Sequence, residues 1–117
     1  MTDRGVPLMQ GTLELLILAA LADEEPRHGF AILRWLSAAT GGSLAIEEAA
    51  LYPALHRMER RGWLEAEWGL SENNRKAKYY ALTKTGRRRL EEEHAGWRRY
   101  VEAVGKIMTH AAGVGAG

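Results

Sequence analysis

The chain has 117 residues, no cysteine and a formal net charge of +1. That length suits one domain with a modest core, and the missing thiols exclude disulfides and thiolate metal sites, which fits a reducing cytoplasm. The longest apolar run, Leu15 to Ala22, is far too short to span a bilayer, and Met1 to Pro7 has no basic lead into a secretory apolar core, so neither membrane span nor signal peptide is expected.

Taken in chain order, residues 1–7 read as a flexible arm. Gly11-Thr12 can cap a first helix in which Leu13, Leu16, Ile17, Ala20 and Leu21 recur at helical spacing; with Glu14 and Asp23 as its only charges, this helix is expected to be mostly buried. Asp23 to Arg27 is a loop. His28-Gly29 opens a second helix that runs through Thr40, with Ile32, Leu33, Trp35 and Leu36 facing inward, and Gly41-Gly42 ends it. Leu44-Ala45-Ile46 reads as a short strand. Glu47 and Glu48 then supply negative charge where a third helix begins, and Pro53, tolerated near a helix start but not in its interior, places that start only a few residues earlier. Leu51, Leu55 and Met58 form the buried stripe of this helix, which leaves Tyr52, Pro53, His56, Arg57 and Arg60 on the open side.

Residues Trp63 to Trp68 alternate as a strand, with Leu64, Ala66 and Trp68 expected on the inner face. Gly69 to Lys76 is a polar tip with Ser71-Glu72-Asn73-Asn74 as its turn, and the return strand runs from Lys78 to Leu82 with Tyr80 and Leu82 inward. Thr83 caps a last helix from Lys84. Along it Leu90, His94, Trp97, Val101, Val104 and Met108 follow alternating steps of four and three, the stripe of a heptad seam. The preceding helices and hairpin suffice for a small core, so the stripe needs a partner, and a second copy of the chain is the simplest; the competing possibility is that the helix folds back on its own domain. Residues 111–117 are expected to be a flexible tail.

The fold class that follows is mainly α with a small β-hairpin: a winged helix-turn-helix over 8–83 and a long C-terminal dimerisation helix over 84–110. In such an arrangement the third helix enters the DNA major groove and the hairpin reaches the neighbouring backbone. The charge distribution agrees better than the net charge does. Residues 57–89 hold ten Lys or Arg against four Glu, while the rest of the chain carries a net −5, a basic footprint suited to phosphates.

These residues, in this order, resemble the PadR family of winged-helix transcriptional regulators. The landmarks are Gly11-Thr12-Leu13-Glu14-Leu15-Leu16-Ile17-Leu18, His28-Gly29-Phe30 with Ile32, and Leu51-Tyr52-Pro53-Ala54-Leu55. Glu59, Gly62-Trp63-Leu64, Lys78-Tyr79-Tyr80, Leu82-Thr83, Gly86 and Trp97 complete them. The similarity runs from about Leu8 to Met108, and the single C-terminal helix resembles the family's compact branch. It implies a homodimeric repressor on a palindromic double-stranded DNA operator, in many members released by a small apolar or aromatic effector. One departure is Ala49-Ala50, where many members carry Gly followed by Ser or Thr, so a hydroxyl that could cap the third helix and touch a phosphate is missing.

The candidate DNA-contacting residues are Tyr52, Pro53, His56, Arg57 and Arg60 on the third helix and Arg75, Lys76 and Lys78 on the wing. Arg57 is the candidate for bidentate guanine contact, set against ion pairing on the surface. Tyr52 is a candidate for phosphate or base, set against packing on the first helix. The wing cations need only charge and reach to meet a phosphate. Leu90, His94, Trp97, Val101, Val104 and Met108 are the candidate dimer interface. Trp97 is also the candidate effector contact, since its resemblance to paired tryptophans of the family implies a stacking pocket; the plainer account is interface core. No metal site, cofactor or enzymatic motif is expected: the four histidines, His28, His56, His94 and His110, lie on separate segments without ligand spacing. Two other readings remain open, a winged-helix protein-interaction module and a dimeric small-molecule sensor, each without DNA binding.

Overall fold

The computed structural model describes residues 6–7 and 12–116. Three short helices form its centre: α1 (Leu13–Ala20), α2 (Gly29–Thr40) and α3 (Glu48–Arg60). A parallel pair, β1 (Val6–Pro7) with β2 (Leu44–Ala45), lies beside them. The antiparallel wing follows as β3 (Leu64–Leu70) and β4 (Lys76–Leu82), and α4 (Lys84–Ala116) ends the chain. No helix among the described residues is long and apolar enough to cross a membrane.

The core is built from the apolar stripes the helices present to one another. Ile17, Leu18, Ala20 and Leu21 from α1 and its end meet Ile32 and Leu36 of α2 and Leu51, Ala54, Leu55 and Met58 of α3, with Leu64 and Tyr80 closing it from the wing. Burial of such aliphatic side chains is the main stabilising term, about 1.5–3 kcal/mol each. Local chemistry sets the helix limits. The His28 side chain accepts a bond from the Ala31 N–H at 3.1 Å and so caps α2. Gly41, at φ +61°, takes the left-handed conformation that ends it. Pro53 lies on the exposed face of α3, so the helical bond it cannot donate is lost where solvent can compensate.

Thr83 joins the wing to α4. Its Oγ1 accepts from the Gly86 N–H at 2.9 Å and donates to the Gly62 carbonyl at 2.6 Å, so one hydroxyl caps α4 and ties it to the end of α3. The first turns of α4 pack on α1 and β4. From residue 94 to residue 113 every residue except Gly96 is exposed. The helix does not fold back on its own domain.

Four features differ from the sequence expectations. Val6–Pro7, read as part of a flexible arm, pairs with Leu44–Ala45; a two-residue pairing leaves no periodicity to detect. Helix α4 runs to Ala116 rather than ending at 110, despite glycines at 113 and 115. The strands reach Leu70 and resume at Lys76, so the wing tip is shorter than expected. Trp68, expected inward, is 63% exposed, because the hairpin continues past the helical layer that covers Leu64 and Tyr80. Of the proposed Gly11-Thr12 cap, Thr12 occupies the N-cap position of α1 without a side-chain cap bond, while Gly11 and the remainder of the arm lie outside the described residues.

Candidate nucleic-acid interface

Helices α2 and α3 and the wing enclose an open cleft of about 680 Å³, lined by His28, Phe30, Arg34, Tyr52, His56, Trp68, Glu72, Arg75, Lys76 and Lys78 among others. It brings α3 candidates and wing candidates onto one surface. Gly29 leaves room for the Tyr52 ring against the first turn of α2. A Cβ added at Gly29 would lie 2.5 Å from Cε1 of Tyr52. Tyr52 therefore packs on the start of α2 and remains partly exposed. Burial, with the nearby Glu48 carboxylate, pushes its phenol pKa upward, so it stays a neutral hydrogen-bonding group.

Pro53, His56 and Arg60 are exposed along the same face of α3, and Arg60 makes no ion pair among the described residues. Arg57 is held differently. Its Nε lies 3.4 Å from Oε2 of Glu14 on α1, and Arg61 reaches the same carboxylate at 3.4 Å. The partner is thus a residue 43 positions away, which local spacing on α3 had no means of indicating.

On the wing, Arg75 and Lys76 are exposed at the tip and the start of β4. Lys78 is not: its Nζ bonds Oε1 of Glu59 on α3 at 2.9 Å, and that bond raises its pKa. Lys78 therefore braces the wing against α3. A second brace crosses the mouth of the cleft, where Arg34 of α2 meets Glu72 of the wing tip at 3.0 Å. At its root the wing is fixed by Arg27, whose backbone bridges Tyr80 with bonds of 3.0 and 2.9 Å. The Arg27 guanidinium grips Asp23 with two bonds of 2.8 Å, which hold the Asp23 carboxyl well below the usual range, and also bonds the Ala20 carbonyl at 2.8 Å. Sequence reasoning missed Phe30, Arg34 and Glu14; the only signal for them was that Phe30 and Glu14 sit inside the family-like motifs.

The stripe on α4 divides. Leu90 packs against the domain's own core, whereas His94, Trp97, Val101, Val104 and Met108 are open to solvent. Tyr100 and Ile107, one position before Val101 and Met108, widen the apolar face. The Trp97 and Tyr100 rings lie 5.9 Å apart at 30°. No group of three or more His, Cys, Asp or Glu suited to a metal ion occurs among the described residues.

Residues 17–92 match the model of the transcriptional regulator PadR-like family. An uncharacterised protein of Lysinibacillus sphaericus is 31% identical over 101 residues, covering 86% of this chain and 92% of that one. Among solved structures, a PadR family transcriptional regulator from Eggerthella lenta shares 35% identity, with a TM-score of 0.71 over 85% of this chain and 83% of that one. A transcriptional regulator from Clostridium thermocellum shares 25% identity, with a TM-score of 0.74 over 83% and 90% of the two chains. A Bacillus cereus PadR-like transcriptional regulator shares 27%, with a TM-score of 0.70 over 85% and 93%. With that match, the described helix-turn-helix and the wing beside it, the chain belongs to the PadR-like family, whose members are transcriptional regulators and not enzymes.

Proposed function

We propose that the protein is a sequence-specific repressor that binds a palindromic operator as a homodimer. The observation that carries this reading is one open cleft lined jointly by Tyr52 and His56 of α3 and by Arg75 and Lys76 of the wing, with Arg60 exposed farther along the same helix. Helix α3 enters the major groove, where Tyr52, Pro53, His56, Arg57 and Arg60 meet base edges and flanking phosphates, and the wing cations hold the neighbouring backbone. Lys78 contributes from its bond to Glu59, as a partly neutralised charge.

The dimer reading rests on α4. An amphipathic helix that leaves Trp97, Tyr100, Val101, Val104, Ile107 and Met108 in water has an unmet burial requirement, and an isologous pairing satisfies it with a single repeated surface. Two recognition helices then address successive major grooves, about 34 Å apart. Trp97 and its mate, flanked by Tyr100, offer flat faces to a planar aromatic effector.

Fluorescence anisotropy with DNA upstream of the protein's own gene, against scrambled DNA at two salt concentrations, tests the reading. Tighter binding to the upstream DNA that survives higher salt supports operator recognition. Equal binding to both, erased by salt, reduces the surface to a generic basic patch. Quenching of tryptophan fluorescence by planar aromatic compounds, lost in Trp97→Ala, tests the effector site; identical titrations in both proteins remove it.

A further inference from the structure

The cleft carries a feature that charge complementarity does not explain. Phe30, in the first turn of α2, is 54% exposed, and Trp68, on β3, is 63% exposed. One stands on the helical wall of the cleft and the other on the wing. Aromatic side chains carry the largest apolar area of any residue type. Two of them left in water on one opening, apart from the cluster of buried residues, require an account outside the core.

Each ring also has a cation beside it. The Arg34 guanidinium lies 5.1 Å from the Phe30 ring centroid and the Lys76 ammonium 5.8 Å from the Trp68 ring. Each wall of the cleft therefore presents a flat apolar face next to a positive charge. A nucleic-acid strand presents the complement: an anionic phosphate followed by the apolar edge of a deoxyribose. With α3 in the major groove and the wing on the adjoining backbone, the strand that separates the two grooves passes through this cleft.

We propose that Phe30 and Trp68 pack against the sugars of that strand while Arg34 and Lys76 take the phosphates on either side, so that part of the affinity is apolar and independent of salt. The inference rests on the DNA-binding reading above and adds to it two contact residues that carry no charge. Arg34 exchanges the Glu72 carboxylate for a phosphate when DNA enters, so the mouth of the cleft opens on binding.

The test is the salt dependence of DNA affinity in Trp68→Ala, Phe30→Ala and Trp68→Phe, with thermal denaturation of each to establish folding. A sugar contact predicts affinity about tenfold weaker in Trp68→Ala, an unchanged slope of log K against log salt, and substantial recovery in Trp68→Phe. Affinity equal to wild type in Trp68→Ala overturns the inference. So does a loss accompanied by a shallower slope, which makes the indole a support for Lys76 and not a contact. Oxidative footprinting read by peptide mass spectrometry gives a second readout on the unaltered protein: the DNA upstream of the protein's own gene protects Trp68 and leaves Trp97 as reactive as before, and an unprotected Trp68 in the complex overturns the proposal. A wild-type protein that binds no DNA at either salt removes the reading beneath it as well, an outcome separate from wild-type binding that Trp68→Ala leaves intact.

Discussion

Neutralising the wing tip has an effect that can be sized from the structure. Arg75 and Lys76 are exposed and make no ion pair among the described residues, so each is available to displace a counterion from a phosphate. In a dimer the double variant Arg75→Gln/Lys76→Gln removes about four such contacts, and the slope of log K against log salt becomes shallower by about 3.6. Between about 50 mM and about 200 mM salt the wild type then loses roughly 150-fold more affinity than the variant. Anisotropy titrations at four or five salt concentrations measure both slopes directly. The same substitution at Lys78 moves the slope less, because Glu59 already holds its ammonium at 2.9 Å. A double variant whose slope equals the wild type's, on an operator the wild type recognises, would refute the placement of DNA on the wing. A Lys78→Gln slope as large as that of the tip pair would show that DNA displaces Glu59, contrary to the brace described above.

Other expectations test the remaining joints of the structure. Glu72→Gln frees Arg34 and removes a negative charge from the cleft mouth, so DNA binds more tightly at low salt and the difference shrinks as salt rises; a weaker complex would show that the brace sets the wing's position. Gly86→Ala forces a methyl into the backbone carbonyl of Trp63, which has no free rotamer to yield; a loss of about 3 kcal/mol in urea denaturation is expected, and an unchanged midpoint would contradict the packing of α4 on the hairpin. Val101→Asp with Val104→Asp places charges in the exposed stripe of α4, and analytical ultracentrifugation should show the protomer mass in place of a dimer with the domain still folded; a persistent dimer would move the interface off this helix. The Asp23 carboxyl, held low chiefly by its bonds to Arg27, contributes stability that is complete above the ordinary carboxylate range and is lost as pH falls toward its depressed pKa. The melting temperature of Asp23→Asn should therefore differ from wild type at neutral pH, and the gap should narrow as pH falls below the ordinary carboxylate range; a constant gap would assign the effect to something other than titration.

What could be read from the chain and what could not separate along a physical line. Helices α1 to α3, the wing and the cap at Thr83 were legible because each is written in local periodicity or capping chemistry: Leu51, Leu55 and Met58 face one way on α3 and all three are buried. The exposed set on the same helix followed by elimination. The ion pairs that decide how much charge each candidate presents were not legible. Glu14 to Arg57 and Arg34 to Glu72 span 43 and 38 residues, and such pairings depend on how helices cross rather than on any repeat within one. Trp68 failed for a related reason. Alternation states which face a residue occupies but not how far the covering layer extends, and here the cover stops between Ala66 and Trp68.

The long-range ion pairs bear on how the regulator is tuned. Of the cations facing the cleft or the open side of α3, Arg34, Arg57 and Lys78 each hold a carboxylate, while Arg60, Arg75 and Lys76 hold none among the described residues. The carboxylates belong to three different elements: Glu14 on α1, Glu59 on α3 and Glu72 on the wing tip. Each pair is partly exposed to solvent and so contributes little to stability. Their larger consequence is for binding: a phosphate must compete with a carboxylate already in place at three of six positions. Non-specific DNA, which offers phosphates but no matched base edges, meets a surface with only half its cations unengaged. On the proposed reading an operator adds base contacts along α3 and apolar contacts to the strand in the cleft, and these would offset the cost of breaking the pairs. A variant with Glu14, Glu59 and Glu72 all changed to Gln should therefore gain affinity for scrambled DNA by a larger factor than for the operator. Competition titrations of the two DNAs measure that ratio. If both affinities rise by the same factor, the carboxylates lower overall charge only and have no part in discrimination.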